Sequence, residues 1–323
     1  MAMIRTVLGD IPDGSFGACD YHDHLFHVSP LLPGDELDDE AASGVEAGSM
    51  VAAGLTAMIE ATPTGLGRRP AAVARISAAT GLHVVHVTGA HREEHYPSSH
   101  WLLDASVEVL TRHFTADIMD GLPDVTTPAD DGLVRAKPAM TPDGHPVRAG
   151  MVKAGVGYWR ISPFERRSLE AAAATAVATG TAVMVHLEHG SAAWQVLDLL
   201  RSAGLAADRV VLAHIDRNLD PGLHAELTQA GAYIGYDGAA RHREAPDSAL
   251  IDCMEAALAQ GADVNRFVIG ADVARRSRFV AYGGMPGLVY LPERFIPRLA
   301  SRLGGATVTR MTTANPAALL HLR

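Results

Sequence analysis

Six side chains that could hold metal ions occur at or near the ends of short apolar segments. They are His22, His24, Lys153, His186, His214 and Asp272. His22 and His24 form an H-x-H pair, and residues i and i+2 of an extended strand point to the same side, so both imidazoles can reach one ion. Imidazoles combined with a carboxylate suit Zn²⁺, Mn²⁺, Co²⁺ or Fe²⁺ rather than Ca²⁺ or Mg²⁺. The set therefore predicts a divalent-metal site, with zinc as the default because of its availability.

Each of these residues also has an ordinary structural explanation. His186 and His214 lie within apolar segments and can be hydrogen-bonded core residues. Asp272 can cap a helix, and Lys153 can extend to solvent from a rim. Together, these explanations require several polar groups at corresponding strand ends without a shared purpose. Buried polar groups need partners, and a metal ion supplies one for all of them, so we favour the metal site.

The elements that must position these residues are eight apolar segments that alternate with helix-like segments. The predicted strands are residues 16–22, 54–62, 83–90, 150–156, 182–188, 209–215, 232–237 and 267–272. The predicted helices are residues 68–80, 101–118, 164–179, 191–203, 221–230, 246–260 and 287–303. Nearly continuous apolar strands are typical of parallel sheets that are buried on both faces. Eight such units favour an α/β fold closed as a (β/α)₈ TIM barrel, with a doubly wound sheet as the alternative.

Two segments interrupt the alternation of strands and helices. Residues 27–50 form a long polar and acidic connection, and residues 119–149 are rich in Pro, Gly and Asp. Because the barrel pattern resumes directly after the second segment, we interpret it as an irregular insertion rather than a linker. We expect one domain over residues 1–323, with the metal site at the carboxyl ends of the strands, where the βα loops of a barrel collect functional groups.

The composition limits the classes of partner. Apolar residues make up 48% and charged residues 20%, which is typical of a soluble globular protein. The net charge of −10 leaves no basic surplus to neutralise phosphates, which argues against general nucleic-acid binding. No segment approaches the roughly 20 apolar residues that span a bilayer, and the N-terminus lacks an apolar signal core. With only Cys19 and Cys253 present, we expect a cytoplasmic protein that binds neither nucleic acids nor membranes.

The sequence resembles the phosphotriesterase-like branch of the amidohydrolase superfamily along nearly its whole length. The similarity is carried by TVLGDIP (6–12), YHDHLF (21–26), VTGAHREEHYP (87–97), MVKAG (151–155), VHLEHG (185–190), LAHIDRN (212–218) and GADVARRSRFVAYGGMPGLVYL (270–291). The chain order of the six candidate ligands also matches. The segments AGVGYW (154–159) and HREEHYP (91–97) depart from the usual pattern near the expected substrate pocket, which limits the transfer of a substrate from relatives.

This resemblance implies a binuclear metal centre. The more buried metal would be held by His22, His24 and Asp272, and the more exposed one by His186 and His214. Lys153 would bridge both as a carbamate formed from its amine and CO₂, a reaction that needs the neutral amine of a desolvated lysine. We expect a metal-bridging hydroxide to attack an ester-like centre while Asp272 accepts the proton. The resemblance also implies a homodimer.

The segment that follows Asp272, ARRSRFVAYGGMPGL (274–288), is similar to that of relatives that act on sugar lactones, some of them phosphorylated. The arginines after two strand ends could bind an anionic group, because guanidinium binds carboxylate and phosphate in a bidentate manner. These candidates are Arg275, Arg276, Arg241 and Arg243, which could instead pair with nearby Glu244 and Asp247. Candidate pocket walls are Tyr96, Tyr158, Trp159 and Tyr282, although aromatic side chains are also common in cores.

These observations predict a binuclear metal-dependent hydrolase of carboxylic or phosphoric esters. A lactonase that acts on sugar-type lactones, including phosphorylated ones, is the first choice. An organophosphate triester hydrolase is the alternative, and a metal-containing binding protein without turnover is a third possibility. A nucleophilic serine mechanism is disfavoured because the sequence has no G-x-S-x-G elbow.

Overall fold

A computed structural model describes residues 2–323 of the chain. These residues contain ten β-strands and eleven α-helices. The strands are β1 Met3–Thr6, β2 Gly9–Pro12, β3 Cys19–Asp23, β4 Ala57–Glu60, β5 His83–Gly89, β6 Met151–Val156, β7 Ala182–Leu187, β8 Val210–Ala213, β9 Tyr233–Tyr236 and β10 Phe267–Ile269. The helices are α1 Glu40–Ala52, α2 Pro70–Thr80, α3 Trp101–Asp104, α4 Val107–Met119, α5 Pro163–Thr179, α6 Ala193–Ser202, α7 Pro221–Gln229, α8 Asp247–Ala259, α9 Ile296–Leu303, α10 Gly305–Thr312 and α11 Ala314–Leu320.

Strands β3 to β10 form one parallel sheet of eight strands in sequential order. The sheet closes on itself, because the N–H of Asp272, just after β10, donates to the carbonyl of His22 in β3 at 2.9 Å. Most strand-to-strand connections carry helices, so the fold is the predicted (β/α)₈ TIM barrel. The doubly wound alternative is wrong, because the first and last strands of an open sheet would not meet.

The strands are buried on both faces, as their continuous apolar sequences predict. Alternate side chains point to opposite sides of a strand, so Val84 packs in the cluster shared with the helices whereas Val85 packs in the cluster inside the barrel. Ile4 of β1, Phe16 and Leu319 of α11 join the inner cluster. The N-terminal hairpin and the last helix therefore pack against the barrel interior and leave the carboxyl-terminal rim for function.

The structure corrects several predicted elements. The segment 101–118 divides into α3 and α4, and residues 27–50, predicted as a polar connection, contain most of α1. The side chain of Asp39 caps α1 by accepting a hydrogen bond from the N–H of Ala42 at 3.0 Å. Small residues such as Ala47 and polar residues such as Ser43 form part of its buried face, so its sequence shows no strong apolar periodicity. The β1–β2 hairpin and helices α10 and α11 were not predicted.

Apart from Met119, the last residue of α4, the insertion at residues 119–149 has neither a strand nor an α-helix, as predicted, and it contains one short 3₁₀ turn at Pro128–Asp130. Within residues 2–323, no helix combines the length and the apolar character that crossing a membrane requires.

Candidate metal centre

The barrel brings all six predicted ligands together at the carboxyl ends of its strands. They line one cavity of about 330 Å³, and each side chain is almost completely buried. The contributing elements are β3 for His22, the residue after β3 for His24, β6 for Lys153, β7 for His186, the residue after β8 for His214, and the loop after β10 for Asp272. Their proximity follows from parallel strands that end at one rim.

Asp237, which directly follows β9, orients two of the histidines. Its Oδ1 accepts a hydrogen bond from Nδ1 of His214 at 2.6 Å, and its Oδ2 accepts one from Nδ1 of His22 at 3.0 Å. The hydroxyl of Tyr21 also donates to Oδ2. A histidine whose Nδ1–H is held by a carboxylate presents the lone pair of Nε2 on its other side. Both Nε2 atoms are therefore available as metal ligands.

His24 and His186 are oriented in the same manner by other acceptors. Thr62 Oγ1, which gives its own proton to a backbone carbonyl, accepts a hydrogen bond from Nδ1 of His24 at 2.6 Å. Glu188 Oε2 accepts one from Nε2 of His186 at 2.8 Å. His24 thus presents the lone pair of Nε2, and His186 that of Nδ1. Burial lowers the pKa of both histidines well below the ordinary value, which keeps them neutral as metal binding requires.

Lys153 extends from β6 into this cavity. Its Nζ donates a hydrogen bond to the lone pair on Nε2 of His22 at 2.9 Å. Burial lowers the pKa of Lys153 to about 8, which raises the fraction of neutral amine that can react with CO₂. Gly89 of β5 lies beside it with φ of +105°, and a Cβ there would collide with the Lys153 carbonyl. Glycine therefore allows the close approach of β5 to β6 at this point.

Asp272 is held between the histidines and two arginines. Its Oδ1 lies 3.5 Å from Nε2 of His24 and 3.8 Å from Nε2 of His22. Its Oδ2 accepts hydrogen bonds from Arg217 at 3.1 Å and from Arg241. Burial alone would raise the pKa of Asp272, but Arg241 and the histidines hold it well below its usual value. Its φ of 48° is rare outside glycine, and such strain is concentrated at functional sites.

These contacts test whether the residues fit a metal ion. The ligand atoms of His22, His24 and Asp272 all lie within 4.8 Å of one another. They offer two neutral imidazole lone pairs and one ionised carboxylate, a donor set that suits zinc and similar ions. The donors therefore fit a divalent metal.

The structure separates the predicted arginines. Arg241 and the exposed Arg275 line the cavity, whereas Arg243, also exposed, lies outside its lining. Arg241 is engaged by Asp272, while the guanidinium of Arg275 has no ion pair or hydrogen bond within residues 2–323. Arg276 is exposed outside the cavity and lies over the ring of Tyr282 at 5.4 Å. Of this group, Arg275 is thus the guanidinium that faces the cavity without a protein partner.

The predicted aromatic walls have different positions. Tyr96 is buried and lies outside the cavity lining. Its hydroxyl accepts a hydrogen bond from the N–H of His91 at 2.8 Å and donates one to the carbonyl of Thr64 at 3.0 Å. Tyr158 and Trp159 are exposed in an adjoining outer cavity of about 1040 Å³. Tyr282 lies outside both cavities and bonds to the backbone that precedes α1.

Several residues of the site escaped prediction. Asp237 and Glu188 lie at the ends of the predicted strands 232–237 and 182–188, the same positional signal that identified the six candidate ligands. Arg217 follows His214 in the segment HIDRN and reaches both cavities. Four further histidines line the inner cavity, namely His27, His91, His95 and His189. Thr62 carries no signal that a single sequence could reveal.

Replacing Asp237 with asparagine should weaken metal binding by about 10- to 100-fold, as loss of a partner that orients metal-ligating histidines typically does. The asparagine oxygen can replace one acceptor, but its NH₂ group would face the second histidine N–H. Chelator competition measures the metal Kd. The control is Asp198→Asn, an exposed carboxylate on α6 whose loss should leave the Kd unchanged. An unchanged Kd for Asp237→Asn would contradict the role given to Asp237.

Comparison with known proteins agrees with this geometry. The model of the Phosphotriesterase family matches residues 2–320. The chain is 28% identical over 309 residues to a phospho-furanose lactonase of Mycoplasmopsis synoviae, covering 91% of this chain and 84% of the relative. The crystal structure of a lactonase from Listeria monocytogenes superposes with a TM-score of 0.88 at 26% identity over all of both chains. A phosphotriesterase homology protein from Escherichia coli, crystallised with phosphate in its active site, gives a TM-score of 0.81 at 26% identity, covering 95% of this chain and 99% of that one.

Proposed function

The chain belongs to the phosphotriesterase family, and from this premise we propose that it is a metal-dependent lactonase that acts on sugar-type lactones, including phosphorylated ones. One observation carries the proposal. Each of the four candidate-ligand histidines gives its N–H to a protein acceptor and thus turns a lone pair towards a common space. The lactonases among its relatives support the choice of substrate class.

In this proposal the candidate ligands divide into two groups. His22, His24 and Asp272 would hold one metal, and His186 and His214 would hold the second. Lys153 would contribute to both groups as a carbamate, for which its lowered pKa prepares the amine. When bound, two divalent metals, which we take to be zinc, would supply an activated water and polarise the ester carbonyl.

The protein side chains then manage the proton and the leaving oxygen. Arg217 and Arg241 keep Asp272 ionised before the reaction, so the carboxylate is in the form that can accept the proton of the attacking water. Asp272 passes this proton to the ring oxygen as the bond between that oxygen and the carbonyl carbon breaks. The product is the open-chain hydroxy acid. Proton transfer by a positioned carboxylate of this kind contributes about 10²- to 10⁴-fold to a rate.

The proposal is tested with metal-reconstituted protein and a panel of γ- and δ-lactones, each with and without a phosphate group. Turnover of sugar lactones above that of an organophosphate triester is expected. Faster triester hydrolysis would instead favour a phosphotriesterase. Lactone binding without turnover of any compound would identify a binding protein.

Arg275 should distinguish phosphorylated from plain lactones. It faces the cavity without a protein partner, and a hydrogen bond to a charged group contributes roughly 1.5–3 kcal/mol. Arg275→Met should therefore lower kcat/KM for a phosphorylated lactone by about 10- to 100-fold and leave the plain lactone nearly unchanged. Arg243→Met, outside the cavity, is the matched control and should affect neither substrate. Equal losses on both lactones would show that Arg275 does not bind the phosphate.

Several expectations from the sequence have no test in the structure and stay predictions: the metal-binding roles of the six candidate ligands, the carbamate on Lys153, the homodimer, the cytoplasmic location, the single domain over residues 1–323 and the identity of the metal.

A further inference from the structure

His91 differs from the metal-binding histidines although it lines the same cavity. It follows β5 by two residues and is 7% exposed. The centroid of its ring lies 4.5 Å from that of His186. The side chain is therefore next to the proposed metal centre, and the mechanism given above assigns it no role.

The hydrogen bonds of His91 determine which ring nitrogen carries its proton. Nδ1 accepts a hydrogen bond from the backbone N–H of Arg92 at 2.7 Å, so Nδ1 carries a lone pair and the proton is on Nε2. Within residues 2–323, Nε2 of His91 has no hydrogen-bond partner, and this atom is accessible from the cavity. This arrangement is the reverse of that in the four ligands, whose N–H groups are bonded to protein acceptors.

Neighbouring side chains hold His91 in this orientation. Its backbone N–H donates to the hydroxyl of Tyr96, which is itself anchored to Thr64. The ring of His95 packs against it with centroids 3.8 Å apart, and Nδ1 of His95 bonds to Ser29 at 2.9 Å. Tyr96 thus acts as a positioning residue beneath His91. A free N–H on a fixed ring is preorganised to meet an acceptor atom of a bound molecule.

We propose that His91 is a substrate-contacting residue of the reaction, whose Nε2–H donates a hydrogen bond to an oxygen of the reacting ester group. A role as a further metal ligand does not fit, because Nε2 bears the proton and Nδ1 is occupied by the N–H of Arg92. The inference rests on the proposed lactonase function.

Two variants separate this role from a structural one. Glutamine at position 91 retains an N–H donor at about the position of Nε2, whereas phenylalanine retains the ring shape without a donor. His91→Phe should lower kcat for lactones by about 100-fold, as loss of one preorganised donor commonly does, with KM changed little. His91→Gln should recover most of this loss. His145→Phe, an exposed site elsewhere, is the matched control and should leave the rate unchanged.

A second readout does not depend on turnover. In ¹⁵N-histidine-labelled, zinc-loaded protein, His91 should show the proton on Nε2, with its signal assigned by its loss in His91→Gln. Titration with γ-hydroxybutyrate, the ring-opened form of the simplest γ-lactone, should shift this resonance. The Kd should rise about tenfold in His91→Phe and stay within threefold of wild type in His91→Gln.

The outcomes are distinct. Wild-type turnover with equal kinetics in His91→Phe would overturn the inference and leave the proposed function standing. Absence of turnover in the wild type would defeat the proposed function, and the titration would still decide the role of His91. A proton on Nδ1, an unshifted resonance, or loss of metal and stability in both variants would also overturn the inference.

Discussion

Replacing Asp272 with asparagine should lower kcat/KM for lactone hydrolysis by about 10³-fold, within the range expected when a positioned acid–base group is lost. Asparagine is nearly the same size, but it carries no charge and cannot accept the proton of the attacking water. It also leaves Arg217 and Arg241 without their anionic partner beside the metal site. The loss should appear mainly in kcat, because the carboxylate acts on the reacting atoms.

Metal analysis of the same variant separates two causes of this loss. A variant that keeps both metals but loses activity identifies Asp272 as the proton acceptor, whereas one that loses metal identifies it chiefly as a ligand. Wild-type protein stripped by a chelator provides the reference for a metal-free site. Full activity of Asp272→Asn on the best lactone would remove Asp272 from the mechanism.

Replacing Arg68 with methionine should lower the free energy of unfolding by about 3–5 kcal/mol, the usual result of breaking a buried ion pair from one side. Arg68 is 1% exposed. Its guanidinium donates to both oxygens of Asp131, at 2.7 and 2.8 Å, and to Asp117 at 2.7 Å. Since Asp131 belongs to the irregular segment 119–149, these bonds fasten that segment to the barrel.

Urea unfolding of Arg68→Met measures this effect. The matched control is Arg75→Met, because the ion pair between Arg75 and Glu40 is similarly short at 2.7 Å but lies at the surface. Exposed pairs contribute about 0–1 kcal/mol, so the control should change little. Equal effects of the two variants would show that the buried network does not anchor the insertion.

The same network predicts the acid sensitivity of the protein. Burial raises the pKa of Asp117, but Arg68, His113 and Arg135 outweigh it and bring the pKa to about 2. A depressed pKa in the folded state stabilises the protein above the unfolded value of about 4, and this stabilisation is lost as the pH falls towards 2. Arg68→Met removes one of these cations, so its acid unfolding should begin at a higher pH than that of the wild type.

The barrel and the grouping of the six candidate ligands at one rim could be predicted because their signals are local in sequence. Continuous apolar segments identify buried parallel strands, and a polar residue at the end of such a strand must face the same rim as its counterparts. Asp237 also ends a predicted strand, but we did not predict its role. A single acidic residue at a strand end is common, and no neighbouring histidine marks this one as part of a metal site.

Other features depend on tertiary contacts that a single sequence does not encode. Tyr96 lies in a loop next to the site. Its hydroxyl points away from the cavity because its hydrogen-bond partners are the backbone groups of Thr64 and His91. Helix α1 has a buried face that includes small and polar residues, so its periodicity is weak. The separation of Arg275 from Arg243 likewise depends on the path of two loops. The positions of these side chains follow from the folded structure and not from patterns in the sequence.

The central claim is that the cavity holds two metals bridged by a modified lysine. Metal analysis of purified, reconstituted protein together with a crystal structure that resolves Lys153 tests it most directly. We expect two divalent metals per chain and electron density for a carboxylate group on Nζ of Lys153, between the two groups of ligands. An unmodified Lys153 that points away from the histidines, in protein loaded with excess metal and CO₂, would contradict the binuclear centre.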